Sequence, residues 1–317
     1  GQADAAAVAM VILPGMPAQG SPREFSASLI AAAGSTAILI PPSLAFIVYN
    51  ILVPQASMPA LFAAGLIPGV LAGLSLLIPV LYFSIREGWG AESTASEASL
   101  WQTFREAVWG LIAPVIILGG LRLGLFTPTE AAVVAAFYGL CVGFFVYRTL
   151  TLRLVYQVLV ESAEIAAVVM LIIALASVFA HAGSTLGAFD AFARLLLGFT
   201  DDETMMLVMI MLMLLIAGML LDAISIFLVF LPILLPIMRT FNWDPVWFGV
   251  LMTMNLAIGQ VTPPMAVNLM VTSRIAGVSI ESTVRWVSWM VAAMLLALLS
   301  VAAVPELATW LPRRLGY

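Results

Sequence analysis

Residues Gly218–Asn268 read GMLLDAISIFLVFLPILLPIMRTFNWDPVWFGVLMTMNLAIGQVTPPMAVN. They form two apolar segments, each with something polar or helix-breaking where hydrocarbon belongs. The first turns around Asp222. The second, from Val246, breaks at Gly259–Gln260 and again at Thr262–Pro263–Pro264, then resumes towards Asn268. A double proline removes two backbone donors and disfavours α conformation before it, so nearby carbonyls lose their helical partners. At membrane depth such backbone is tolerated only where it is buried in protein or lines a wet cavity. Freed carbonyls there suit a desolvated cation, and half-helix N-termini suit an anion.

The rest of the chain fits that environment. It is 63% hydrophobic and 9% charged, with a mean hydropathy of +1.13, which excludes an ordinary soluble domain. Several runs approach the ~20 apolar residues that cross a bilayer. The reading is an all-α polytopic membrane protein. The single cysteine, Cys141, falls in an apolar helix and allows no intrachain disulfide. The net charge of −5 is scattered and does not point to nucleic acid. The opening residues carry no basic leader. Gly1 falls in mid-pattern, so the sequence is expected to continue upstream.

Taken in order, Asp4 to Leu13 is a short apolar arm, followed by a polar turn (Gln19 to Glu24). Phe25 to Asn50 is a long apolar helix interrupted at Ile40–Pro41–Pro42–Ser43. Spans are expected over Leu61–Ile85, Glu106–Phe126, Ala131–Tyr147, Leu154–Ala180 and Val284–Leu311. Gly119–Gly120 would admit a close helix approach. Thr127-Pro128-Thr129-Glu130 has the form of a capping box. His181 to Thr200 is Gly-punctuated and amphipathic and reads as interfacial. Met205 to Met238, too long for one span with Asp222 inside it, reads as a hairpin.

The start of the chain can be laid over its second half. Asp4 precedes Pro14 as Asp222 precedes Pro232, by ten residues in each case. Pro22-x-x-Phe25 matches Pro245-x-x-Phe248, Pro41–Pro42 matches Pro263–Pro264, and Ser57 matches Ser279. The chain therefore contains a repeat: hairpin arm with Asp, loop, double-proline-broken helix. Threading the spans puts Arg23, Arg86, Arg105, Arg148, Arg153, Arg274 and Arg285 on one side. Arg194, Arg239, Arg313 and Arg314 fall on the other. The positive-inside rule makes the first side cytoplasmic and the C-terminus periplasmic. On this count the two copies are inverted, the arrangement expected for alternating access.

The segments GSTAILIPPS (Gly34–Ser43), FTPTEAAV (Phe126–Val133), LLDAISIFLVFLPILLPI (Leu220–Ile237) and NLAIGQVTPP (Asn255–Pro264) resemble the hallmark segments of the large membrane (M) subunit of tripartite ATP-independent periplasmic (TRAP) transporters. The resemblance covers essentially the whole chain. It implies an N-terminal portion beyond Gly1 and an inverted-repeat elevator fold with re-entrant hairpins. The implied activity is sodium-coupled uptake of small organic anions such as C4-dicarboxylates, 2-oxo acids or sugar acids. A small membrane (Q) subunit and a periplasmic substrate-binding (P) protein would be partners in a bacterial or archaeal inner membrane. Sodium is the coupling ion, and no other cofactor is expected.

The resemblance also implies a division of the chain. Residues 1–50 and 205–280 would form a transport domain, while 51–204 and 281–317 would form scaffold. Two sodium sites would lie where each hairpin tip meets its broken helix. One would take Gly1 and the carbonyls of Ala37, Ile40 and Pro42. The other would take Gly218, Asp222 and the carbonyls of Gly259, Thr262 and Pro264, with the Thr262 hydroxyl. Ala37 stands where the family often has Gly, and Met265–Ala266 where Val-Gly is usual.

Each candidate has a plainer alternative. Asp222, costly inside a membrane, could serve the ion or substrate site or cap the second hairpin arm; Asp4 is its repeat mate. Ser43 could offer a substrate or ion hydroxyl, or cap a helix. Asn255 and Asn268 could bind a substrate carboxylate or staple helices. Glu130 fits the capping box, and Glu161 and Glu164 suit a helix start. An intramembrane aspartyl protease built on Asp4 and Asp222 would require facing helices and a Gly-x-Gly-Asp element. The nearest string, Gly187-Ala-Phe-Asp190, lacks the second Gly. No HExxH or GxSxG motif occurs. No enzymatic activity is expected. A stand-alone sodium/carboxylate symporter of a related elevator family remains the alternative function.

Overall fold

The computed structural model describes residues 2–13, 15–16, 20–89, 100–123 and 125–317, without the side chains of 2–4, 7, 100, 102, 103, 106, 122 and 128. The described residues form helices joined by turns and irregular stretches, with no strand among them. Among the described residues, five helical segments are long and apolar enough to cross a membrane: Met58–Glu87, Thr129–Val146, Leu152–Thr185, Ala223–Thr240 and Ile280–Ala303. The pair Arg23–Leu39 and Leu44–Leu52, bent by 41°, adds a broken one. The chain divides into two compact units, Gly1–Ala95 with Thr200–Phe227 and Phe241–Tyr317, and Ser96–Phe199 with Leu228–Thr240.

In the first unit, α1 (Gln2–Ile12) packs on α2 (Arg23–Thr36). A Cβ at Gly34 would fall 2.7 Å from that of Ala5, so only glycine permits the approach. A tight turn, Ala37–Leu39, follows α2, and α3 begins at Leu44 and runs to Leu52. Next come α4 (Met58–Ser75) and α5 (Leu77–Glu87), which closes on left-handed Gly88. In the second half are α10 (Glu203–Gly218), the start of α11 (Ala223–Thr240), α12 (Pro245–Gly259), α13 (Val267–Ala276), α14 (Ile280–Ala303) and α15 (Glu306–Leu315).

Corresponding positions of the two halves carry corresponding caps. The Ser57 hydroxyl accepts the Ala60 N–H at 3.3 Å, starting α4, and Ser279 accepts that of Ser282 at 3.3 Å, starting α14. The halves also pack reciprocally. Helix α14 lies on α2 and α4 on α12, while α13 lies on α2 and α3 on α12. At the centre, fully buried Tyr49 of α3 donates its hydroxyl to the Pro245 carbonyl at 2.7 Å. Its ring lies against Gly249 and Phe227.

The last stretch differs from the expected single span Val284–Leu311. Pro305 has no N–H to continue the ladder, and Val304 leaves helical geometry, so α14 and α15 are separate. Helix α15 then packs on α4.

The second unit contains α6 (Leu100–Arg122), α7 (Pro128–Cys141, continuing as a wider turn to Val146), α8 (Leu152–Thr185) and α9 (Ala188–Leu197). His181 lies inside α8 rather than at its end. Gly183 leaves room for the Phe189 ring, since a Cβ there would meet Phe189 Cζ at 2.3 Å. The helix therefore continues to Thr185. Gly120 likewise accommodates the Phe126 ring of the following turn, not a second helix, and among the described residues nothing lies within 4 Å of a Cβ built at Gly119. Phe189, Ala193 and Leu196 form the buried face of α9.

The capping box is complete. The Glu130 carboxylate accepts the Thr127 N–H at 2.8 Å, and the Thr127 hydroxyl accepts the Glu130 N–H at 3.3 Å. Thr127→Ala is expected to cost about 1 kcal/mol, read as a lower thermal midpoint of the purified full-length protein. Glu130→Gln, which preserves the box geometry, is expected to leave both the midpoint and transport near wild type.

Candidate functional site

Helix α10 ends at Gly218 and a four-residue turn, Met219–Asp222, leads to α11. The Asp222 carboxylate caps α11: one oxygen accepts the Ile224 and Ser225 N–H groups at 3.0 and 3.2 Å, the other the Ser225 hydroxyl at 2.5 Å. The residue is exposed. Its hydrogen bonds among the described residues all stay within that cap.

The last turn of α12 tightens as it approaches the double proline. Val261 N–H reaches the Ile258 carbonyl at 3.2 Å, and Thr262 N–H reaches that of Gly259 at 3.1 Å. The Thr262 hydroxyl donates to the Ile258 carbonyl at 2.7 Å. With its proton committed, that oxygen keeps its lone pairs for another partner. After Pro263–Pro264, Ala266 sits in the left-handed region at φ 42°, a conformation disfavoured for any residue with a Cβ. Asn268 then closes the loop, donating N–H to the Gln260 carbonyl at 3.2 Å and its amide to Gln260 Oε1 at 3.3 Å.

Turn and break meet directly. Gly218 and Gly259 touch backbone to backbone, and a Cβ at Gly259 would lie 2.6 Å from the Gly218 carbonyl carbon. Met265 N–H donates to the Met219 carbonyl at 3.2 Å. Asn255 ties α12 to α10, donating its amide to the Met211 carbonyl at 2.7 Å. Asn255 and Asn268 are fully buried, and the side-chain oxygen of each has no hydrogen-bond partner among the described residues.

The first break repeats the local geometry. Ile40 N–H donates to the Ala37 carbonyl at 3.2 Å, as Thr262 does to Gly259. Ser43 is both a cap and a bridge: its hydroxyl accepts the Phe46 N–H at 3.3 Å and donates to the Ile38 carbonyl at 2.5 Å. The Ala37 and Gly259 carbonyls are thus each already engaged. Those of Ile40, Pro42, Thr262 and Pro264 accept no hydrogen bond among the described residues. They are among the free acceptors the two breaks present. Gly1 and the side chain of Asp4 lie outside the described residues.

Two participants escaped the sequence reading. Helix α4 backs the first break through Gly65, where a Cβ would meet the Leu39 carbonyl oxygen at 2.3 Å, and Gly69, where one would lie 3.2 Å from Ile40 Cγ1. The available signal was the Gly-x-x-x-Gly spacing in an apolar helix, the pattern that permits close backbone approach.

Comparison with known proteins then bears on the whole chain. The sequence pattern of the family "Tripartite ATP-independent periplasmic transporter, DctM component" matches residues 1–307. The chain is 40% identical over 311 residues to the isethionate TRAP transporter permease protein DctMQ of Oleidesulfovibrio alaskensis, covering 97% of this chain and 48% of that one. It is 37% identical over 314 residues to the C4-dicarboxylate TRAP transporter large permease protein DctM of Pseudomonas aeruginosa, covering 99% and 73%. It is 35% identical over 305 residues to the 2,3-diketo-L-gulonate TRAP transporter large permease protein YiaN of Escherichia coli, covering 96% and 72%. These are transporter permease subunits, not enzymes, which removes the aspartyl protease reading. On this evidence the chain belongs to the DctM family of TRAP transporter permease components.

Proposed function

We propose that this chain carries out sodium-coupled uptake of a small organic anion as the large permease subunit of a TRAP transporter in a bacterial or archaeal inner membrane. A small membrane subunit and a periplasmic substrate-binding protein would be its partners. The observation that carries the reading is the contact between turn and break. The Met219–Asp222 turn is held on the α12 break by the Gly218–Gly259 approach and the Met219–Met265 hydrogen bond, beside the free Thr262 and Pro264 carbonyls. Backbone oxygens and a hydroxyl whose proton is committed are hard ligands suited to a small cation.

In this mechanism sodium binds where the broken backbone offers these oxygens, Thr262 and Pro264 in one copy and Ile40 and Pro42 in the other. Binding fixes the breaks, and the ordered ends of α3 and α13, with Ser43, Asn255 and Asn268, complete the anion site. The anion is then carried by movement of hairpins and broken helices against the remaining spans, an elevator. The reciprocal packing of the halves supports two related binding regions. The C-terminus would be periplasmic. Relatives are named for isethionate, C4-dicarboxylate and 2,3-diketo-L-gulonate. A shared chemistry of small, water-soluble anions follows for this chain, carboxylate or sulfonate.

Sodium titration of uptake tests the ion assignment. Thr262→Val keeps the shape but removes the hydroxyl oxygen. Loss of a hydrogen-bonding ligand worth about 1–3 kcal/mol is expected to raise the sodium concentration for half-maximal uptake roughly tenfold. Ser43→Ala is expected to have a smaller effect, because its oxygen already accepts the Phe46 N–H. An unchanged sodium dependence in both variants would count against these sites.

A further inference from the structure

Outside the two breaks, α5 and α14 leave an apolar groove of about 390 Å³ between them, lined by Ile78, Pro79, Tyr82, Trp289, Ala292 and Leu296. Both helices belong to membrane-length segments. Ile78 and Leu296 are each about 60% exposed, so the groove opens outward along the apolar surface. From Trp289 to Leu296 it extends about 10 Å along the helix axis. Its other end is of a different nature. The Tyr82 and Trp289 rings stack there, with centroids 6.3 Å apart. Behind them Phe25, Phe83, Trp89 and Trp286 form a continuous set of ring contacts.

Two guanidinium groups stand at this aromatic end. Arg86, one turn beyond Tyr82, donates to the Tyr82 hydroxyl at 3.0 Å. Arg285, one turn before Trp289, lies over the Trp286 ring at 5.2 Å. Both are exposed. Glu87 lies 3.6 Å from Arg86, and Glu281 occupies the first turn of α14. Aromatic rings with arginines at the end of an apolar segment mark the membrane–water boundary. An apolar slot that ends in guanidiniums at that boundary has the chemistry of a lipid: hydrocarbon below, phosphate above.

We propose that this groove is a binding site for an anionic phospholipid of the surrounding bilayer. One acyl chain lies along Ile78, Ala292 and Leu296, and the headgroup phosphate is held by Arg86 and Arg285. The tryptophans fix the depth at which the ester region sits. The occupant is a lipid and not an apolar helix, because the groove ends in exposed guanidinium donors that a phosphate can accept from and an apolar side chain cannot.

The test uses the full-length protein in nanodiscs containing equal amounts of phosphatidylglycerol and phosphatidylcholine, each in turn carrying a photoreactive acyl chain. Labelled peptides are identified by mass spectrometry. Labelling by phosphatidylglycerol is expected on α5 and α14, exceeding that by phosphatidylcholine about tenfold. The double variant Arg86→Gln/Arg285→Gln is expected to bring the two lipids level. Ala292→Trp, at an exposed groove position, is expected to reduce labelling by both. Equal labelling of the wild type by the two lipids would overturn the proposal, and that comparison needs no variant to fold. Labelling confined to other helices, or a protein segment crosslinked into the groove, would overturn it equally.

Discussion

Replacing Gly259 by alanine is expected to abolish most sodium-driven uptake, while the same change at Gly218 is expected to be milder. The difference lies in what the new methyl group meets. At Gly259 it would fall 2.6–2.8 Å from the carbonyl carbon, Cα and oxygen of Gly218, all of them backbone atoms. At Gly218 the nearest atom would be the Gly259 Cα at 3.2 Å, a distance relieved by a shift of a few tenths of an ångström. Forcing a methyl into a closed packing costs about 1–3 kcal/mol, here charged against the state in which the turn rests on the break. At about 1.4 kcal/mol per factor of ten, the upper half of that range removes 90% or more of the competent population. Uptake by proteoliposomes containing each variant at matched protein content measures it. Equal activity of the two variants would mean that the contact has no part in transport.

The second large effect is on folding. Tyr49→Ala removes a fully buried ring that joins α3 to α12 and touches Phe227. Aromatic-to-alanine truncations in packed interiors cost about 3–5 kcal/mol. The loss should appear as a thermal midpoint lowered by several degrees or a failure to purify folded protein. Tyr49→Phe isolates the hydroxyl. It leaves the Pro245 carbonyl without its 2.7 Å donor, at a cost of about 1–3 kcal/mol. If Tyr49→Phe proves as damaging as Tyr49→Ala, the hydrogen bond and not the packing holds the two halves together.

How much of this was legible depends on the range of the force involved. Proline acts on its own neighbours, so the ends of α2 and α12 near Pro41 and Pro263 could be placed from the residues alone, as could the cap at Thr127, whereas Ser57 and Ser279 read only as a matched pair and show as caps in the structure. Pro305 obeys the same rule, but the hydropathy on both sides of it favours one continuous span. The continuation of α8 through Gly183 depends on the Phe189 ring, which comes back to it only after the chain turns.

At the candidate site, residue types were readable and partners were not. Nothing in the order of residues shows that the Ala37 and Gly259 carbonyls are already bonded while those of Ile40, Pro42, Thr262 and Pro264 stay free. The cap on Asp222 was foreseeable from its place before a helix. The backing of the first break by Gly65 and Gly69 was not, because a Gly-x-x-x-Gly stripe does not name the surface that approaches it.

The most direct measurement is uptake of a panel of radiolabelled small organic acids, carboxylates and sulfonates, into proteoliposomes. These would hold the full-length chain with its small membrane subunit, and the sodium gradient and the cognate binding protein would be varied separately. Uptake of at least one anion is expected to require both. Uptake driven by sodium alone, without the binding protein, would contradict it and make the protein a stand-alone symporter.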